Sequence, residues 1–127
     1  LALNQLIASL THAFSLSLHL VQNAGVEVES FMGLLRGSAL YAPTFDKKLT
    51  KLLADDYANP NFPTAHLRKD LLLFLASAGS QGLCTEGLEG LARVLARAEG
   101  SAIDNLDYSA LHRLTAAAPA PAPATPH

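Results

Sequence analysis

The sequence predicts an all-α fold: a compact bundle of about six helices organised around a long, buried first helix. Three observations predict it. Apolar residues at Leu3, Leu6, Ile7, Leu10, Phe14, Leu18 and Val21 recur at the three- and four-residue spacing of a helix face. Glycines and prolines stand at the distances at which helices stop and start. No segment alternates apolar and polar residues as a half-buried strand would, and no internal repeat is present.

The first helix runs from Leu1 to the Asn23-Ala24-Gly25 stop, where glycine supplies a left-handed residue. Asn4, Thr11, Ser15 and Gln22 form one polar stripe on it, with Gln5, His12 and His19 beside them. That distribution leaves little face for bulk water and points to a central helix whose polar stripe meets an interface or a cleft. A second helix spans Val28 to Leu35, with Gly37 as its stop. Pro43 suits the first turn of a third, which runs to about Leu53. The stretch from Asp55 to Pro63 holds two prolines and two asparagines and reads as a loop. Thr64 is placed to cap a fourth helix. Its Leu71-Leu72-Leu73-Phe74-Leu75 run is apolar on every side, which predicts burial in the domain middle, with Gly79 and Gly82 closing it. Thr85 starts a fifth helix that Gly100 ends, and Asp107 opens a short sixth carrying Tyr108, Leu111 and Leu114. From Thr115 alternating prolines prevent helix and sheet, so residues 115–127 read as an extended, disordered Pro/Ala-rich tail.

Half of the 127 residues are apolar and the formal charge is -2, a globular composition for one domain. The basic residues are scattered, which argues against a nucleic-acid partner. No formal charge occurs from Leu1 to Val26, yet the polar side chains from Asn4 to Gln22 argue against a membrane span. The chain opens in mid-helix pattern without Met and reads as a piece of a longer protein. The single cysteine, Cys84, allows no internal disulfide; a reducing, cytoplasmic setting and a buried or semi-buried structural thiol are expected.

Few residue patterns carry chemistry by themselves. His12 and His19 share a face, but no carboxylate or cysteine joins them in that helix, so they read as packing or cleft-lining residues and no metal site is expected. From the helix pattern alone, Asn4 reads as a packing or interface amide and Lys69 as a lysine that snorkels to the surface. Ser38 and Tyr41 read as surface residues of a loop.

Three segments together alter that picture. Leu1-Ala2-Leu3-Asn4-Gln5 resembles a Lys-x-x-x-Asn signature from its second residue onward. Phe62-Pro63-Thr64-Ala65-His66-Leu67-Arg68-Lys69-Asp70-Leu71 is similar to a Phe-x6-Lys-Asp-Leu motif, and Asp107-Tyr108-Ser109-Ala110-Leu111 to an Asp-x-Ser-Ala-like ending. In this order and spacing they resemble the C-terminal domain of the β-hydroxyacid dehydrogenase superfamily, which includes 3-hydroxyisobutyrate dehydrogenases, tartronate semialdehyde and glyoxylate reductases, and imine reductases. The chain departs from the family pattern at Thr11-His12, where an acidic residue is common, and near Thr85, where a proline is common.

The resemblance implies that residues 1–114 are an all-α substrate and dimerisation domain of an NAD(P)-dependent oxidoreductase. Such an enzyme moves a hydride between NADP or NAD and a β-hydroxyacid or related semialdehyde. The nucleotide-binding half and the signature lysine would precede Leu1, so this polypeptide alone is expected to be inactive. The resemblance makes Asn4 a catalytic residue, one helical turn beyond that lysine and on its face. It makes Lys69 a cofactor-binding residue; Thr11, on the polar stripe, and Ser38, in a loop, are candidates for the substrate cleft. Asp70 is expected to anchor a neighbouring loop or its helix start. The partners implied are a small hydroxyacid or aldehyde and a second copy of the chain, with no nucleic acid and no membrane. An imine reductase-like domain, or a helical dimerisation module without turnover, is the alternative.

Overall fold

The structure, a computed structural model, describes residues 1–120. Six α-helices follow one another: α1 Ala2–Asn23, α2 Val28–Arg36, α3 Pro43–Ala54, α4 Thr64–Ser80, α5 Glu86–Ala96 and α6 Leu111–Leu114. Two 3₁₀ turns, Ala102–Asn105 and Tyr108–Ala110, connect α5 to α6. Among the described residues there is no strand, only an isolated antiparallel bridge between Pro63 and Asp107. No helix among them is long and apolar enough to cross a membrane.

The punctuation behaves as its chemistry demands. Gly25 adopts φ 75° and closes α1 with two paired bonds, Val26 N–H to the Val21 carbonyl and Gly25 N–H to the Gln22 carbonyl, both 3.0 Å. Gly82 does the same for α4 at φ 74°. At the end of α3 the left-handed residue is Asp55, at φ 51°. Arg113 holds it there, from Nε to its Oδ1 at 2.9 Å and from Nη2 to its carbonyl at 3.2 Å.

Thr64 is the first residue of α4 rather than its cap, which is Pro63. Its hydroxyl donates across the fold to the carbonyls of Leu106 at 3.0 Å and Asp107 at 3.2 Å. Its N–H also reaches the Leu106 carbonyl, and Tyr108 N–H reaches the Phe62 carbonyl. The threonine therefore fastens the 106–108 segment to the start of α4.

α1 is central but buried on one face alone, a correction to the expected buried helix. It packs against α2, α3, α4, α5 and α6, and Ala8, Thr11, Phe14, Ser15 and Leu18 turn inward. Phe14 and Leu18 join a cluster with Met32, Phe45 and Leu49; Ala8 joins a second with Leu67, Leu71 and Leu95. Leu3 and Leu20 remain 75% and 71% exposed. α4 departs from expectation in the same way. Leu67, Leu71 and Ala78 are buried, whereas Leu72 and Leu73 are about half exposed. Both helices carry apolar surface beyond what one core stripe can bury.

Cys84 is exposed, not buried, because it lies in the turn after α4 rather than on a helix face. Of the expected 115–127 tail, Thr115 is held against α1 by its hydroxyl, residues 116–120 form no regular element, and residues 121–127 lie outside the described residues.

Candidate functional site

The first turns of α1 and the middle of α4 meet at a polar corner. Asn4 and Asp70 are both partly buried there, and Asn4 Nδ2 donates to Asp70 Oδ2 at 2.7 Å. An ionised carboxylate only accepts, so this contact fixes which end of the amide is which. The nitrogen is committed to Asp70, and Asn4 Oδ1 is left as an oriented acceptor. Asp70 also stands beside the first turn of α1, where unpaired helix N–H groups favour a negative charge. The structure thus places Asp70 on a helix partner sixty-six positions away. The expected loop or helix-start anchor is corrected.

One position round α4, Lys69 is exposed and opens on a groove of about 370 Å³ lined by Ala65, Arg68, Leu72, Leu73 and Glu99. Arg68 is held by Asp104 there, whereas Lys69 makes no ion pair among the described residues. The groove sets the Lys69 ammonium, unpaired among the described residues, and the Glu99 carboxylate beside an apolar shelf of Leu72 and Leu73. By itself it is not a dinucleotide site, because a pyrophosphate needs a cradle of backbone N–H groups.

The other side of α1 lines a second groove, of about 420 Å³, with Gln5, Ser9 and His12 facing Gly87, Leu88 and Gly90 of α5. Ser9 donates its hydroxyl to Gln5 Oε1 at 2.6 Å. Burial holds the His12 imidazole below its ordinary pKa.

Two expected cleft residues are not at the corner. Thr11 is 3% exposed, and its hydroxyl has no hydrogen-bond partner. It shares the face of Asn4 two turns farther along α1, where the helices packed opposite enclose it. Ser38 sits in the α2–α3 turn. Its hydroxyl is spent locally, donating to the Leu35 carbonyl at 2.8 Å and accepting from Leu40 N–H at 3.2 Å.

Farther along α1 the inward polar residues are closed off. Ser15 Oγ lies 2.6 Å from His112 Nδ1 and 2.6 Å from Thr115 Oγ1. His19 Nε2 donates to the His112 carbonyl at 2.8 Å, and the two imidazoles stack 3.7 Å apart. Burial, then the neighbouring His19, holds His112 down at about 4, with Asp55 opposing. His112 is thereby neutral near pH 7, and its Nδ1 shares one hydrogen bond with the Ser15 hydroxyl. Among the described residues no group of three or more His, Cys, Asp and Glu side chains converges as metal ligands would.

A buried ion pair escaped the sequence. Lys48, 4% exposed, meets Asp107 Oδ2 at 3.0 Å, and its ammonium lies 4.4 Å from the centroid of the Tyr108 ring. The same carboxylate oxygen accepts from the backbone N–H and the hydroxyl of Ser109. The Asp-x-Ser spacing therefore closes a turn onto α3, and the third motif is structural. The one signal available was a Lys47-Lys48 pair on an amphipathic helix, which does not say that either lysine turns inward.

Residues 1–115 match the family model described as NAD-binding of NADP-dependent 3-hydroxyisobutyrate dehydrogenase. The chain belongs to this family. Among its relatives is the glyoxylate/succinic semialdehyde reductase 1 of Arabidopsis thaliana, 26% identical over 111 residues. That match covers 87% of this chain and 38% of the relative. Among solved structures, the 3-hydroxyisobutyrate dehydrogenase of Salmonella typhimurium shares the fold with a TM-score of 0.76 at 17% identity. It is matched over 87% of this chain and 39% of its own length. The chain thus spans about two-fifths of the length of the proteins it matches.

Proposed function

We propose that this chain is the C-terminal, substrate-side domain of an NAD(P)-dependent β-hydroxyacid dehydrogenase or semialdehyde reductase. Its nucleotide-binding part would be N-terminal to Leu1, its small substrate a hydroxyacid or aldehyde, and its assembly a homodimer. The single observation that carries this proposal beyond family membership is the Asn4–Asp70 hydrogen bond at 2.7 Å, which leaves an oriented amide oxygen at the α1–α4 corner. A nicotinamide cofactor, when bound, supplies or accepts the hydride. The chain's own residues hold the reacting oxygen.

Asn4 Oδ1 accepts a hydrogen bond from a substrate hydroxyl, and Asp70 keeps the amide from rotating. Orientation of this kind lowers the entropic part of a barrier. A lysine immediately before Leu1 would stand four residues from Asn4 on the same face and could exchange the hydroxyl proton. Lys69 supplies positive charge at the neighbouring groove, suited to a cofactor phosphate or a substrate carboxylate. Residues 1–114 then form the working domain, with 115–127 an appended tail.

Nuclear magnetic resonance titration of the chain tests this. Glyoxylate, succinic semialdehyde and NADPH should bind only weakly, with Kd above about 1 mM. Their shift changes should centre on the Asn4 side-chain amide, Lys69 and Asp70. Micromolar NADPH binding, or changes centred on the Ser38 turn, would overturn it.

A further inference from the structure

The groove of about 420 Å³ between α1 and α5 lies roughly a quarter-turn round α1 from the Asn4 corner. Its floor is apolar, made by Leu88, Leu91 and Val94. One wall is polar. Gln5, Ser9 and His12 follow one another four and three residues apart, on one face of α1 over about 10 Å. The Ser9 hydroxyl donates to Gln5 Oε1, so Gln5 Nε2 keeps its N–H groups and Ser9 Oγ keeps its lone pairs. His12, held below its ordinary pKa by burial, is neutral at pH 7 and offers one N–H and one lone pair.

The opposite wall is bare. Gly87 and Gly90 face the groove from α5. Neither has a positive φ. A side chain at Gly87 would meet nothing within 4 Å, and one at Gly90 only Arg93 Nη2 at 3.8 Å. Glycine is a poor helix former, and neither backbone conformation nor packing within the chain requires it at these two positions. What the two glycines provide is room. The same contact sets a guanidinium at the rim. Arg93 makes no ion pair among the described residues, and Glu89, one turn before it, accepts from Thr85 Oγ1 at 3.2 Å. No Asp or Glu lines the groove.

Room, an apolar floor, a wall of neutral hydrogen-bonding groups and one cation at the edge match a small organic acid. Its carboxylate pairs with the planar fork of Arg93. Its apolar body covers Leu88, Leu91 and Val94, and an amide or hydroxyl in between meets Gln5, Ser9 and His12. The exposed leucines of α1, Leu3, Leu6 and Leu10, belong to another face of that helix, so a surface that covers them need not close this groove.

We propose that the α1–α5 groove is a second binding site of this chain, for a small organic acid with an apolar body. The site stands apart from the Asn4 corner and does not depend on the role given to that corner. Glyoxylate and succinic semialdehyde offer too little apolar body to hold it.

Nuclear magnetic resonance titration of the full chain with N-acetyl-L-leucine tests this. Shift changes are expected at the Gln5 side-chain amide, the His12 ring and the Gly87 and Gly90 amides, with a Kd of about 1–5 mM. N-acetylglycine, which lacks the apolar body, should bind at least about tenfold more weakly. The uncharged N-acetyl-L-leucinamide should lose about tenfold as well, and Arg93→Gln should abolish the difference between acid and amide. The Gly87→Ala, Gly90→Ala double variant should melt no lower than the unmodified chain, because the added methyl groups meet only open space and Arg93. It should nonetheless bind N-acetyl-L-leucine more than about tenfold more weakly, its methyl groups occupying the groove. Equal binding of acid and amide would overturn the proposal, as would a double variant that keeps its affinity or melts early. Acetyl-Ala-Ala-Leu binding more tightly than N-acetyl-L-leucine would point to a chain terminus and overturn the small-acid reading. Shift changes confined to Asn4, Lys69 and Asp70 would remove this site while leaving the proposed function standing.

Discussion

The two ends of α1's inward face use the same kinds of residue and reach opposite outcomes. Toward its C-terminal end, Ser15 and His19 are sealed by His112 and Thr115, and their hydrogen bonds are spent within the fold. Toward its N-terminal end, Asn4 has a single partner, Asp70, and keeps an amide oxygen free at a partly open corner. Only the second arrangement can receive a ligand without first breaking the structure. The difference lies in what packs opposite: the 106–115 segment covers one end of α1 and stops short of the other.

Substitutions in the closed interior should have the largest effects. Lys48→Met should cost about 3–5 kcal/mol, because Asp107 would stay buried without its cation. Urea denaturation measures this, and a loss under about 1 kcal/mol would show that the pair is dispensable.

Acidification should act next. The folded-state pKa of His112 is depressed to about 4, below its unfolded value of 6.5, so the unfolded chain takes up the proton first. Stability from this group is complete above pH 6.5 and falls as pH drops from 6.5 toward 4, by about 2–3 kcal/mol. His12, also depressed by burial, acts with the same sign. Asp55 and Asp104, held low by Arg113 and Arg68, lose their contribution only at lower pH. Denaturation midpoints at pH 7.5 and 4.5 check the slope; equal midpoints would mean that the His19–His112 stack opens to water.

Ser15→Ala should cost about 1–2 kcal/mol, since His112 Nδ1 and Thr115 Oγ1 lose a buried partner together. Thermal unfolding reads it, and an unchanged midpoint would place water where Ser15 stands. Asn4→Ala should cost least, about 0.5 kcal/mol, because Asp70 at the open corner can turn to solvent. A loss as large as that of Ser15→Ala would make the corner structural.

Much of the fold is legible in the sequence because its boundaries are local. Gly25, Gly82 and Pro43 act within a few residues of themselves, and the helices they delimit fall within a residue or two of expectation. The Ala102–Asn105 turn was not legible, since so short a 3₁₀ segment has no periodicity to read. Which way α1 faces was not legible either. Its leucines mark an apolar stripe, but a stripe does not say whether the domain or something outside it provides the cover. The pairs that settle polar roles join residues far apart in sequence: Asn4 with Asp70, Ser15 with His112, Lys48 with Asp107. The Asn4 and Lys69 motifs could be located from their spacing; their partners could not. Thr11 and Ser38 were candidates for a cleft, and the sequence could not show that the core encloses the one and that the other bonds within its own turn.

In the proposed enzyme the open end of α1 serves chemistry and the closed end serves stability. The most direct test is kinetic, in the full dehydrogenase that the proposal places around this chain. Asn4→Ala should lower kcat/KM about 100-fold with the melting temperature nearly unchanged. Ser15→Ala in the same enzyme should lower the melting temperature by several degrees and leave kcat/KM within about twofold. An Asn4→Ala enzyme that keeps its turnover but melts early would contradict the account.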